Sequence, residues 1–246
     1  MRTRGNGFVP KRKLILEAIV LAGGFGTRLQ KVVNDVPKSM ALINGRPFLE
    51  YLLDYLISQG VKKVILSVGY MRESIVNHFQ TRFKNIEIDY AIEEEPLGTG
   101  GGIRLAFWKV KGTRAFVVNG DSMFRFDFRL MLEQHLKKKA EATLSLRRLP
   151  STGRYGRVEI NRNRRIIEFT EKNELAGAGY INGGVYVIEK LFLMDPDFRG
   201  KFSIEKDCFE RLYHHSRMFG FPASGYFLDI GIPDDFYKAQ NEFAKF

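Results

Sequence analysis

Apolar runs and apolar stripes alternate along the first half of the chain. Residues 14–22 are apolar apart from Glu17, the length and content of a strand buried on both faces. Between Pro47 and Gly60, the residues Phe48, Leu49, Leu52, Leu53, Leu56 and Ile57 recur at helical spacing. Pro47 suits the first turn of that helix and Gly60 its C-terminal stop. Further along, the pattern predicts a strand over 64–68, a short helix over 73–79, a strand over 86–92, a helix over about 102–108 and a strand over 115–118. Strands alternating with helices argue for a parallel sheet with right-handed crossovers.

The second half changes character. A helix over 128–139 has a basic end, and Ala142, Leu144 and Leu146 then alternate with Thr143, Ser145 and Arg147, the pattern of a half-buried strand. Val158 and Ile160, then Ile166, Ile167 and Phe169, flank the polar turn 161–165 as a hairpin would. Asn182-Gly183-Gly184 precedes a strand over 185–188, Ser203 caps a helix start, and Pro233 opens a last helix to about residue 244. The fold class predicted is α/β: Rossmann-like, with a mixed, mostly parallel central sheet flanked by helices and an antiparallel lobe in the second half. No linker-like segment interrupts it, so residues 14–246 read as one domain with halves 14–122 and 123–246.

Composition narrows this picture little, but charge adds something. At 246 residues with 44% apolar side chains, the chain can bury a sizeable core. No apolar run approaches the roughly 18 residues of a membrane span. The single cysteine, Cys208, excludes an internal disulfide and suits a reducing compartment, the cytoplasm. Net charge is +11, and Arg2, Arg4, Lys11, Arg12 and Lys13 supply +5 of it with no acid among residues 1–13. That stretch reads as a flexible basic leader, with the true start near Leu16. The remaining excess fits an enzyme of phosphorylated substrates better than a nucleic-acid binder, for which no motif is present.

The chemistry concentrates where the first strand ends. Gly23-Gly24-Phe25-Gly26-Thr27-Arg28 places three glycines in four positions before a permanent cation, and Pro37-Lys38 brings a second cation back. Glycines let backbone N–H groups approach a ligand closely, and a guanidinium suits phosphate oxygens. The spacing matches neither the P-loop nor the dinucleotide fingerprint. A second glycine-rich stretch, Glu93-Glu94-Glu95-Pro96-Leu97-Gly98-Thr99-Gly100-Gly101, links a strand to a helix whose first N–H groups favour an anion. Asp121, just past the end of a parallel strand, stands where open α/β sheets bind ligands. The four histidines show no ligand spacing and read as surface or satisfied core groups; Phe25 could flank a base.

Gly-Gly-x-Gly-Thr-Arg-Leu with the later Pro-Lys resembles the sugar-phosphate nucleotidyltransferase family, and the resemblance covers nearly the whole chain after residue 15. It implies the nucleotide-diphospho-sugar transferase fold, with the antiparallel lobe binding the sugar. It implies a nucleotide site from Leu21, Ala22, Gly23, Gly24, Gly26 and Thr27, with Glu93, Gly98 and Thr99 at the base. Arg28 and Lys38 become the catalytic cations, Arg28 on the leaving pyrophosphate and Lys38 near the α-phosphate or sugar phosphate. Gly120, Glu171, Lys172, Asn182 and Gly183 fall to the sugar phosphate, and Asp121 and Asp229, the latter in Asp-x-Gly-x-Pro, to Mg²⁺.

The reaction implied joins a nucleoside triphosphate to a sugar 1-phosphate with loss of pyrophosphate. A phosphomonoester is already mostly ionised near neutrality, so no protein nucleophile is needed. Where the family often carries glutamine, this chain has Glu93. A carboxylate only accepts hydrogen bonds, and guanine offers two adjacent donors, which favours GTP. The stretches 34–38, 44–53, 93–101 and 229–235 look most like the branch whose acceptor is a heptose 1-phosphate. Ser39 and Leu42 depart from that branch's pattern. The alternatives are mannose-1-phosphate guanylyltransfer, hexose-1-phosphate uridylyl- or thymidylyltransfer, or a catalytically silent sensor of nucleotide sugars. Expected partners are the two substrates alone, with no nucleic acid and no membrane, in a monomer or homodimer.

Overall fold

A computed structural model describes residues 16–24, 29, 32–33, 35–153, 155–170 and 177–245. The basic leader, Phe25, Gly26, Thr27, Arg28, Glu171 and Lys172 lie outside the described residues.

The strands in chain order are β1 (Leu16–Leu21), β2 (Val61–Val68), β3 (Ile86–Ile92), β4 (Arg114–Asn119), β5 (Ser122–Phe124), β6 (Ala142–Leu149), β7 (Arg157–Ile160), β8 (Ile166–Thr170), β9 (Gly179–Glu189), β10 (Met218–Ala223) and β11 (Phe227–Asp229). The main helices are α1 (Phe48–Ser58), α2 (Arg72–Phe79), α3 (Gly98–Phe107), α4 (Phe128–Lys138) and α5 (Pro233–Glu242). The central sheet runs β4-β1-β2-β3, and all three pairings are parallel. Beyond β4 the pairing turns antiparallel through β9, β7 and β8, while β6 pairs with β9 on its other side and carries β10. The mostly parallel sheet and the antiparallel second lobe are as the sequence predicts.

Alternate residues of the buried strands feed two cores. Ala18, Val20, Val64, Leu66, Phe116 and Val118 face α1, α2, α4 and α5. Ile19, Ile65, Ala91, Ala115 and Val117 face α3 and the helical segment Ile204–Phe209. Helices on both sides require strands that are apolar at every position, which is why the runs 14–22 and 115–118 lack alternation. On α1 the predicted stripe is buried except for Ile57, which is half-buried, and Tyr55 joins it; each Leu or Phe in it contributes about 1.5–3 kcal/mol over an exposed position.

Three boundaries differ from the sequence reading. β2 begins at Val61 because Lys63, though charged, sits in the strand with its ammonium on the Lys109 carbonyl at 3.0 Å and Asp89 at 3.4 Å. β9 begins at Gly179, so Asn182-Gly183-Gly184 lies inside an 11-residue strand and forms a bulge there, with Gly184 at φ +72°. α3 begins at Gly98, four residues earlier than predicted.

Candidate active site

The C-terminal ends of β1, β2 and β4 open onto one cavity of about 590 Å³. That volume falls within the usual range for small-molecule sites. Leu21, Gly23, Gly24, Ser67, Gly69, Tyr70, Glu93, Asn119 and Asp121 line it, along with Gly98 and Thr99 at the start of α3. Each parallel strand delivers its last residue and the following turn to the same edge of the sheet, the edge where such sheets bind ligands.

The glycines divide by cause. A side chain on Gly23 would come within 2.8 Å of the Gly69 nitrogen, and one on Gly120 within 2.4 Å of the Leu21 carbonyl oxygen. These two let the strand ends close up: Gly120 N–H donates to Leu21 at 3.0 Å, and Ala22 N–H donates to the Ser67 carbonyl at 2.9 Å. At Gly24, by contrast, a Cβ would meet nothing within 4 Å among the described residues, and φ is not positive. Gly24 is among the residues that line the cavity.

The glycines expected to admit a nucleobase serve another purpose. Gly100 and Gly101 sit in the first turn of α3, and their N–H groups donate to the Phe202 carbonyl at 3.0 and 3.4 Å. A Cβ at Gly100 would strike the Phe202 ring at 2.1 Å, and one at Gly101 the Gly200 carbonyl at 2.7 Å. The amides expected to bind an anion therefore hold segment 200–202. Gly98 is the left-handed exception at φ +71°, pressed against the Phe202 carbonyl. Thr99 turns its hydroxyl to Glu205 at 2.8 Å and accepts from Ile204 N–H at 2.9 Å.

Glu93 is fixed from two directions. One carboxylate oxygen accepts from the Ser67 hydroxyl at 2.9 Å and the other from Leu97 N–H at 3.0 Å. Gly102 makes room for it, since a Cβ there would lie 2.7 Å from both Glu93 Oε1 and Ser67 Oγ. Glu94, at the rim, pairs with Arg72 at 3.1 Å. Ser67, Gly69, Tyr70, Arg72 and Asn119 line the cavity without having been singled out by the sequence. Their signal is positional: they end or follow strands β2 and β4. The side-chain oxygen of Asn119 is buried without a hydrogen-bond partner among the described residues, an acceptor that a bound donor would satisfy.

Lys38 joins the two aspartates. Its ammonium lies 2.6 Å from Asp121 and 3.6 Å from Asp229. Asp229 arrives on β11, which pairs antiparallel with β5 and so brings residue 229 opposite Ser122. Gly231 N–H donates to Asp229 at 2.7 Å, and a side chain on Gly231 would collide with both Asp229 and Lys38. Burial pushes the Asp121 carboxyl up, but the Lys38 charge and hydrogen bonds from Lys38 and Ser122 outweigh it and hold Asp121 below the usual carboxylate range. Its side chain keeps 37% exposure, toward the cavity. Among the described residues no three His, Cys, Asp or Glu side chains cluster as a metal cage. Asp121 and Asp229 contribute carboxylate oxygens, the donor type a hard ion takes, alongside the Lys38 ammonium.

The remaining predicted residues are accounted for locally. Asn182 Nδ2 donates to the Tyr186 hydroxyl at 2.8 Å, and its Oδ1 accepts from Gly184 N–H at 3.0 Å, which ties down the bulge. The space beside Gly183 is filled by Phe124 and Ser145. His135 is a satisfied core group on Thr143 and Glu189, and His78 contacts Glu50. A smaller hollow lies beside Asp229, lined by Tyr155, Phe227, Asp235 and Lys238 among others.

Comparison with known proteins places this geometry. The nucleotidyl transferase family model matches residues 17–245. The chain is 46% identical over 227 residues to the D-glycero-alpha-D-manno-heptose 1-phosphate guanylyltransferase of Aneurinibacillus thermoaerophilus, covering 92% of this chain and 98% of that protein. To the enzyme of the same name from Campylobacter jejuni it is 40% identical, covering 90% and 97%. The crystal structure of HddC from Yersinia pseudotuberculosis complexed with GMP-PN superposes with a TM-score of 0.83 at 36% identity, over 93% of this chain and all of that one.

Proposed function

The chain is a member of the nucleotidyl transferase family, and from that premise we propose that it transfers a guanylyl group from GTP to D-glycero-α-D-manno-heptose 1-phosphate, releasing pyrophosphate. The observation that carries the reading is the 46% identity to a heptose 1-phosphate guanylyltransferase across nearly the full length of both chains. The geometry agrees with it: a cavity at the strand ends, a fixed carboxylate at its far wall and a two-aspartate centre at its near end.

Both substrates are polyanions, so catalysis here is positioning and charge neutralisation rather than covalent chemistry. The open face of Gly24 lets the triphosphate approach the backbone after β1. Arg28 draws off the leaving pyrophosphate, while Glu171 and Lys172 hold the sugar and its phosphate. Lys38 aligns the two carboxylates and holds that of Asp121 below its usual range. Asp121 and Asp229 would hold Mg²⁺, which supplies positive charge to phosphate oxygens when bound. An oxygen of the sugar phosphate attacks the α-phosphorus in line as the bond to pyrophosphate breaks. Glu93 accepts from guanine N1–H and N2–H. The lone, buried Cys208 suits the cytoplasm, where GTP is supplied.

A panel of GTP, ATP, UTP and dTTP against heptose, mannose and glucose 1-phosphates, read by pyrophosphate release, tests this. We expect GTP with the heptose phosphate to exceed every other pair in kcat/KM by at least tenfold. A preference for UTP or dTTP would remove the guanine assignment, and equal use of mannose 1-phosphate would remove the heptose one.

A further inference from the structure

Among the described residues that line the large cavity, Arg72 is the single cation, and it stands among acids. Its guanidinium lies 3.1 Å from Glu94 and 3.4 Å from Glu73, and both of those line the cavity too. Glu93 is on the same wall, its Cβ 3.6 Å from where a side chain on Gly69 would begin. Arg72 N–H donates to that glycine's carbonyl at 3.2 Å, so the start of α2 is anchored beside Glu93. A wall carrying Glu73, Glu93 and Glu94 repels phosphates. A cation embedded in it is therefore placed for a neutral, hydrogen-bonding group, and in a nucleotide that group is the base.

We infer that Arg72 reads the O6 and N7 edge of guanine while Glu93 takes N1–H and N2–H. This rests on the GTP reading above. The two contacts are chemically adjacent. A planar guanidinium matches the O6/N7 pair bidentately, the commonest specific contact between arginine and guanine. A carboxylate has about four acceptor positions, and Glu93 has committed one per oxygen, to Ser67 and to Leu97. Adenine would keep N7 but present an amino group in place of O6 to Arg72, and an acceptor nitrogen in place of N1–H to Glu93, so both contacts disfavour it. The guanidinium rests on Glu94, whose own side chain is largely exposed.

The test measures kcat and KM for GTP, ITP and ATP with heptose 1-phosphate, in the unaltered enzyme, Arg72→Met and Glu94→Gln. ITP keeps O6, N7 and N1–H but lacks the N2 amino group. Arg72→Met should raise KM for GTP and ITP by the same factor, about tenfold, leave kcat within threefold and lower the GTP-to-ATP preference by about that factor, the remainder being held by Glu93. Glu94→Gln frees the guanidinium and should lower KM for GTP a few-fold. An unchanged GTP-to-ATP ratio in Arg72→Met overturns the inference. So does a Glu94→Gln variant that reproduces the Arg72→Met loss, since the pair would then be a structural clip. Should Arg72→Met fail to fold, Arg72→Lys keeps the charge without the fork and should still lower the GTP-to-ATP preference several-fold; an unchanged preference overturns the role. If the unaltered enzyme does not prefer GTP, the guanine reading itself falls and Arg72's role with it, an outcome distinct from a GTP-selective enzyme indifferent to Arg72.

Discussion

Replacing Asp121 or Asp229 with asparagine should lower kcat by 100-fold or more while the protein stays folded. The shape is preserved in both variants and the charge is not. At residue 229 the asparagine oxygen can still accept from Gly231 N–H, now at 2.7 Å. At residue 121 Lys38 loses its closer partner but keeps Asp229 at 3.6 Å. Removing one partner of a well-buried pair costs about 3–5 kcal/mol, but Asp121 is 37% exposed and a second carboxylate remains. We expect a cost nearer 1–2 kcal/mol, or a fall in Tm of about 2–8 °C. Chelating divalent ions should abolish turnover of the unaltered enzyme in the same assay. Both asparagine variants turning over within threefold of the parent would remove the two aspartates from the reaction.

Two alanine substitutions a short distance apart should fail in opposite ways. Gly120→Ala sets a methyl 2.4 Å from the Leu21 carbonyl oxygen, where the ends of β1 and β4 meet. Backbone must move, at about 1–3 kcal/mol and several degrees of Tm, and the displaced residues include Leu21 and Asp121 on either side of the cavity. Gly24→Ala meets nothing within 4 Å among the described residues and needs no unusual φ. Its Tm should hold or rise slightly, because alanine narrows the unfolded ensemble. Yet the methyl enters the path of the triphosphate, and misplacing a reacting group by about 1 Å can cost 100-fold, so kcat/KM for GTP should fall by that order. Thermal melts and kinetics on the same two samples separate the cases. A Gly24→Ala enzyme with normal kinetics would show that this glycine does not face the nucleotide.

Much of this was legible in the chain. The buried strands announce themselves by apolar runs, Asp121 is singled out by its place after a strand, and Asp229 only by the resemblance of its Asp-x-Gly-x-Pro stretch. What the pattern hid follows from contacts between distant segments. Nothing local shows that Gly100 and Gly101 serve Phe202, a hundred residues on, rather than a base. Nor does the neighbourhood of Lys38 reveal that its ammonium bridges residues 121 and 229. Lys63 disguised the start of β2, because a charged side chain in a buried strand becomes readable only when its partners Lys109 and Asp89 are known. Arg72 was silent for the opposite reason: arginine near a helix start is ordinary until a cavity is seen beside it.

Strand β9 has a bearing on how acceptor preference can diverge or be engineered. Its residues 185–189 complete the sheet against β4, while residues 180–181 pair with β7 beyond the bulge. A chain cut after residue 122 would leave this flank of β4 bare, an apolar edge inviting association with another chain, and a splice there would have to rebuild the whole pairing with a foreign strand. Exchanges between relatives in the second half should therefore be confined to turns, with β9 kept from the recipient.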